Sequence, residues 1–311
     1  MIQPTRQVCW PIFGLMMLVG GGAQIQAQET ALSSQRQAAP VPIAIGIDFT
    51  GVLHQDVGRQ NIQAAWDLWY EELGTLYGLA PKVSLYEDLQ ALIREFNAGA
   101  LDIVSTSALN YLRMAPQVDM NRSPELYGVV TEGRKMSQYL VVVRAGAGVS
   151  ELNELQGKTL IVRRGDETGL VYLQTLLMRH GQPAPAQFFL DIQEAESFSK
   201  AVLAVFFQQG EACLTTQAVF ETMVELNPQV GAQLQILARS PELANGVFFF
   251  HQHLPPEIKE ILITHLVDFE TSVSGQQILL LYKIDRLVQF APADLDSLSE
   301  LLQEYATQTH Q

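Results

Sequence analysis

Cysteine is nearly absent: the 311-residue chain holds two, Cys9 and Cys213. One pair can build neither a framework of bridges nor a cysteine-based zinc site. Basic charge is also short. Nineteen Lys and Arg stand against 33 Asp and Glu, for a net charge of −14. Nucleic-acid binders normally carry a basic face, so no nucleic-acid partner is expected. The deficit does not exclude a bound anion, because close backbone donors outweigh a distant, screened field. After residue 23 no stretch reaches roughly 18 uninterrupted apolar residues, the length of a membrane-spanning helix. No repeat of roughly 20–50 residues is present, which excludes a solenoid. No G-x-S-x-G, H-E-x-x-H or P-loop occurs, and no cofactor is implied. What remains is an ordinary globular composition, 48% hydrophobic and 17% charged. At roughly 150 residues per domain it suggests two domains, each able to bury a core.

Residues 1–27 read as an export signal. Arg6 supplies the positive start, and Trp10 to Ala23 is an apolar run too short to span a bilayer comfortably. Small residues offer cleavage after Ala27 or Ala23. The alternative is an uncleaved anchor. Cys9 precedes the apolar run, which argues against a lipoprotein. Residues 28–41, rich in Gln, Ala and Ser, read as a disordered leader. The expected location is periplasmic.

Downstream the pattern alternates. A strand over Val41–Ile47 is followed by a helix over Asn61–Leu79, where Ile62, Ala65, Trp66, Trp69, Leu73 and Leu76 recur at three- and four-residue steps. A strand at Lys82–Tyr86, a helix over Asp88–Ala98 and a strand at Leu101–Ser105 complete a βαβαβ order, which points to a parallel sheet. Strands are expected at Leu126–Thr131 and Gln138–Arg144. A second α/β block begins near Ser150. It has strands at Lys158–Arg163, Phe188–Ile192, Ala212–Thr215 and Leu234–Ala238. Its helices run from a Thr168 cap to His180, over Phe198–Gln208 and over Gln217–Leu226. The last quarter offers a strand at Val247–His251, two helices over Glu257–Ser272 and Gly275–Tyr282, a short strand at Leu287–Phe290, and an amphipathic helix over Asp294–Thr307.

Four segments carry a resemblance. They are AGALDIVSTSALNYL (Ala98 to Leu112), SQYLVVVRAGAGVSELNELQGKTLIVRRGDETG (Ser137 to Gly169), GEACLTTQAVFETM (Gly210 to Met223) and LARSPELANGVFFFHQHLPPEIKEIL (Leu237 to Leu262). In this order they resemble the periplasmic substrate-binding proteins of ABC transporters, in the phosphate/phosphite/phosphonate-binding subfamily. The resemblance spans roughly residues 42–305. It implies α/β, two-lobed type II periplasmic-binding-protein architecture, with two crossing segments and a ligand cleft between the lobes. Lobe 1 would be discontinuous, residues 42–136 plus 240–311, and lobe 2 would be 137–239. It also implies a small, phosphonate-like oxyanion as ligand, a permease as partner, no enzymatic chemistry, and a monomer. Two alternatives are a subunit that signals to a membrane sensor kinase and an enzyme on the same fold.

Open α/β sheets bind ligands beyond the carboxyl ends of their strands. That rule nominates Asp48 and Thr50 after the first strand, Thr106 and Ser107 after the third, and Tyr111 one turn on. Tyr139 opens the crossing strand, and Thr216 follows a strand of the second block. Glu167, Thr168 and Gly169 open a helix, where amides, hydroxyls and the dipole suit an oxyanion. The family's Ser-Thr-Ser-Gly-type run there reads Asp166-Glu167-Thr168-Gly169. Thr168 and Gly169 carry over. The two carboxylates depart from the pattern: they either decorate the helix start, which favours acids, or signal a cationic, zwitterionic or neutral ligand. His251 and His253 lie on one strand face and suit a metal only with further ligands. His54 and Asp56 complete no metal pattern. Cys213 reads as inert core.

Overall fold

The computed structural model describes residues 39–50, 58–118 and 125–309. The export signal, Cys9, most of the leader, His54 and Asp56 lie outside the described residues. The chain opens with β1 (Val41–Asp48), α1 (Arg59–Tyr77), β2 (Leu79–Tyr86), α2 (Leu89–Asn97), β3 (Ile103–Ser107), α3 (Ala108–Met114) and β4 (Leu126–Val130). Helix α1 stops before Leu79 because Gly78 takes a left-handed conformation (φ 66°) and returns its N–H to Gly74. Asp88 caps α2, its carboxylate accepting the amides of Gln90 and Ala91.

The chain then runs through β5 (Ser137–Arg144), β6 (Thr159–Arg163), α4 (Glu167–Arg179), α5 (Pro185–Phe188), β7 (Asp191–Ala195), α6 (Phe198–Phe206), β8 (Ala212–Thr216), α7 (Gln217–Leu226), α8 (Pro228–Gln233) and β9 (Leu234–Leu243). It returns through β10 (Gly246–Phe250), α9 (Pro256–Val267), α10 (Val273–Tyr282), β11 (Arg286–Phe290) and α11 (Asp296–Thr309). The strand expected at 188–192 is displaced. Pro185 starts one helical turn that buries Phe188, and pairing with β6 begins at Asp191. The helix expected over 257–272 ends at Val267, followed by a 3-10 turn at Phe269–Thr271.

Two sheets result, ordered β11-β4-β10-β3-β1-β2 and β7-β6-β8-β5-β9. Both are mixed rather than parallel. β1 runs parallel to β3, whereas β10 is antiparallel to β3 and β4. The returning strand β10 therefore completes the first sheet from its middle. In the second sheet β6 is parallel to β7 and β8, and β5 is antiparallel to β8 and β9. The chain passes between the sheets twice, from β4 to β5 and from β9 to β10. Asn245 Nδ2 donates to Ser137 Oγ at 2.7 Å and ties the two passages together.

Side chains alternate across each sheet and meet helices on both faces. Phe248 and Phe250 pack with Ile43, Ile45 and Ile47 against Trp69 and Leu73 of α1. Val247 and Phe249 face the other way, into a core shared with Val141, Val143, Leu160 and Leu214 of the second sheet. Leu298 and Leu301 of α11 belong to this shared core, and Arg179 of α4 forms a two-pronged ion pair with Glu304 of α11. From Pro42 on the chain forms one compact unit. Leu140, Val142, Ile161 and the fully buried Cys213 pack against α6, α7 and α8. Burial pushes the Cys213 thiol pKa up. Of the aromatics on α1, Trp69 is buried, while Tyr77 is surface-exposed and hydrogen-bonded to His265.

Candidate functional site

A cleft of about 350 Å³ opens between the two sheets at the carboxyl ends of their strands. Its floor on the first-sheet side is organised by Asp48, which is buried and accepts four hydrogen bonds. Thr50 N (3.0 Å) and Oγ1 (2.6 Å) reach Oδ1; Thr106 Oγ1 (2.7 Å) and Asn110 Nδ2 (2.8 Å) reach Oδ2. These donors satisfy the carboxylate and fix Thr50 and Asn110 at the cleft wall. Asn110 in turn accepts from Arg113 Nη1 at 3.0 Å, and Arg113 forms an ion pair with Glu167 on α4. A polar chain thus runs from the end of β1 to the opposite side. A second ion pair, Arg134 with Glu221 of α7, also joins the two sides.

On the second-sheet side three helices begin at the cleft. Ser197 caps α6 and Thr216 caps α7, each hydroxyl accepting an amide of its own helix. Asp166, not Thr168, caps α4: its Oδ1 accepts the Gly169 amide at 3.1 Å and the Tyr139 hydroxyl at 2.8 Å. It reaches these donors because the carboxylate lies directly over Gly169, where a Cβ would collide with Oδ2. Burial raises the Asp166 pKa to about 6, against the lowering effect of the Gly169 amide, Tyr139 and Arg163. The Tyr139 hydroxyl is pushed well above its ordinary value by burial, then by Asp166. Arg163 is buried, its guanidinium 5.3 Å from the Phe198 ring centroid.

Of the residues nominated from sequence, Thr50, Ser107, Tyr139, Glu167, Thr168 and Thr216 line the cleft together. Three do not. Thr106 is spent on Asp48. Tyr111 is buried with its ring 5.3 Å from that of Phe249, and the Gly169 amide is taken by Asp166. Sequence reasoning weighed Arg163 as a cation that restores anion binding or pairs with the two carboxylates, and passed over Asn110, Ser197, Ser199, Glu132, Arg134, Asn245, Tyr282 and Lys283. Ser197 had a readable signal, a cap residue between a strand and an apolar helix. Glu132, Arg134, Asn245, Tyr282 and Lys283 reach the cleft from the crossing segments and the returning chain. His253 Nε2 lies 2.7 Å from Asp102 Oδ1, and no group of three metal-ligating side chains occurs among the described residues.

Two sheets crossed twice by the chain, facing a polar cleft, define a solute-binding class of α/β protein. The periplasmic substrate-binding protein of phosphonate ABC transporters is the family whose model matches residues 52–298, and the chain belongs to it. Similar solved structures share the fold at low identity. One is a binding protein component of an ABC phosphonate transporter from Pseudomonas aeruginosa (14% identity, TM-score 0.56, covering 86% of this chain and 87% of that one). Another is PhnD1 from Prochlorococcus marinus in complex with methylphosphonate (15%, 0.59, 86% and 99%). A third is a Xanthomonas citri protein bound to chloride ion (13%, 0.60, 87% and 99%). No curated protein matches the chain. The family is one of solute-binding transport components that are exported and act with a permease. No helix among the described residues is long and apolar enough to cross a membrane.

Proposed function

We propose that this chain captures a small, oxyanion-bearing solute in the cleft and presents it, enclosed, to the permease of an ABC transporter. The observation that carries this reading is the cleft itself, about 350 Å³, lined from both sheets by hydroxyls and helix starts at strand carboxyl ends. Family membership supports it. Residues 42–136 plus 240–311 act as one lobe and 137–239 as the other, hinging at the two passages. Binding works by population shift toward the closed state, with no chemistry on the solute. Thr50, Ser107, Tyr139, Glu167, Thr168 and Thr216 form the contact surface, joined by Asn110, Arg163 and Ser197. The protein acts as a periplasmic monomer once the signal is cut near Ala27.

Thermal unfolding against a panel of phosphate, phosphonates, sulfonates, carboxylates and amino acids tests the reading. A ligand at 100 times its dissociation constant adds about 2.7 kcal/mol of stability. Stabilisation by at least one solute, lost in Thr216→Val, is expected. A folded protein that responds to none of them overturns the reading.

A further inference from the structure

Behind the cleft lies a second cavity, about 60 Å³ in volume, between the first sheet and helices α1 and α10. Its walls are apolar: Ile103, Val129 and Leu287 of the sheet, Trp69 of α1, Phe269 and Ile278. Among the described residues no charged side chain lines it. Native interiors leave few voids larger than a water molecule, and an apolar void stays dry and takes apolar guests. By that measure this one has room for a chain of about three or four carbons.

The cavity continues the cleft along one face of the sheet. Side chains two residues apart on a strand share a face, about 7 Å from each other. On β3, Ser107 lines the cleft and Ser105 the cavity. At the end of β4, Thr131 lines the cleft and Val129 the cavity. β3 and β4 are both antiparallel to β10, so the two steps run the same way, from the cleft into the lobe. On the returning chain Asn245 and Lys283 line the cleft, and their neighbours Gly246 and Ile284 line the cavity. Tyr282 lines both. Its hydroxyl accepts from Trp66 Nε1 at 3.2 Å, so the two aromatic side chains bridge α10 and α1 where the cavity meets the cleft.

We propose that this cavity is a tail subsite of the cleft, and that the solute is an oxyanion carrying an unbranched hydrocarbon chain. The head meets the hydroxyls of Ser197 and Thr216, and the chain runs past Tyr282 into the cavity. The proposal rests on the solute-binding reading above and deepens it. Each CH2 that enters the cavity should tighten binding about fourfold until the space is full. Trp66 and Trp69 are the two tryptophans downstream of Trp10, and both line the cavity, so emission from the exported chain reports its occupancy. The test is fluorescence titration of residues 28–311 with n-alkyl phosphonates, sulfonates and carboxylates, from methyl to octyl. In at least one series affinity should climb with chain length and then level off. Its octyl member should shift the tryptophan emission, and its methyl member should not. Ser105→Leu fills the cavity from a position that does not line the cleft. It should weaken the octyl member about tenfold or more and leave the methyl member within about twofold. Affinity independent of chain length, a climb that survives Ser105→Leu, or tryptophan emission unmoved by every bound octyl compound overturns the proposal and leaves the solute-binding reading standing. The wild-type emission decides the matter if Ser105→Leu does not fold. Binding of inorganic phosphate or an amino acid with none of the alkyl series also overturns the proposal alone. Silence toward all of these solutes overturns both.

Discussion

Asp166 gives the protein an unusual pH dependence of stability. Most structural carboxylates are more acidic in the folded state, and their contribution disappears as pH falls. Asp166 is 1% exposed, and burial raises its pKa from 3.8 to about 6. Between those values the unfolded chain has already lost this proton while the folded chain still holds it. Its contribution is therefore fully present below about pH 4 and is lost as pH rises through about 6. At roughly 1.4 kcal/mol per pH unit the loss is on the order of 3 kcal/mol. The perturbation is Asp166→Asn, which keeps an oxygen for the Gly169 amide and the Tyr139 hydroxyl but cannot ionise. The assay is urea unfolding of both proteins from about pH 4 to about pH 7, reading the difference in unfolding free energy so that other carboxylates cancel. The variant should gain on the wild type by about 3 kcal/mol across that window and then run level with it. A difference that is flat, or that falls with rising pH, refutes the reasoning.

Other substitutions probe the packing. Gly169→Ala should cost about 1–3 kcal/mol in denaturant unfolding, because its Cβ would meet the Asp166 carboxylate and the Leu214 side chain. Gly128→Ala should cost a similar amount, about 1–3 kcal/mol, because the Phe290 ring lies over that Cα. Cys213 should be silent to thiol reagents in the folded protein and react at the rate of unfolding, since it is fully buried with a raised pKa. A double-mutant cycle on Arg179 and Glu304 should yield a coupling of only about 0.5–1 kcal/mol despite the two-pronged geometry, because the Arg179 side chain is 46% exposed and screened.

Local pattern was enough for the elements themselves. The helical spacing of Ile62, Trp69 and Leu73, the β-branched run of β5, and the Thr cap before α7 were legible because each depends on residues within a turn or two. So was the nomination of strand ends as ligand-facing, which follows from α/β alternation. Strand direction was not legible. An antiparallel β10 enters the first sheet only because the chain returns from the second, a pairing between residues more than a hundred positions apart. The fate of individual site residues was decided in the same way. Thr50 follows β1 and Thr106 lies near the end of β3, but Asp48 holds the hydroxyls of both, and only Thr50 also stands at the cleft. Gly169 looked like a free amide until Asp166, three residues earlier, was seen to bend back onto it. Lys283, Asn245 and Arg134 are brought to the cleft by the crossings and the returning chain. The sequence by itself determined composition, periodicity and capping, because those are settled by neighbours along the chain. The tertiary structure decided which donors remained for a ligand, because a hydrogen bond made to a distant residue removes a group from the site without leaving any trace in local sequence.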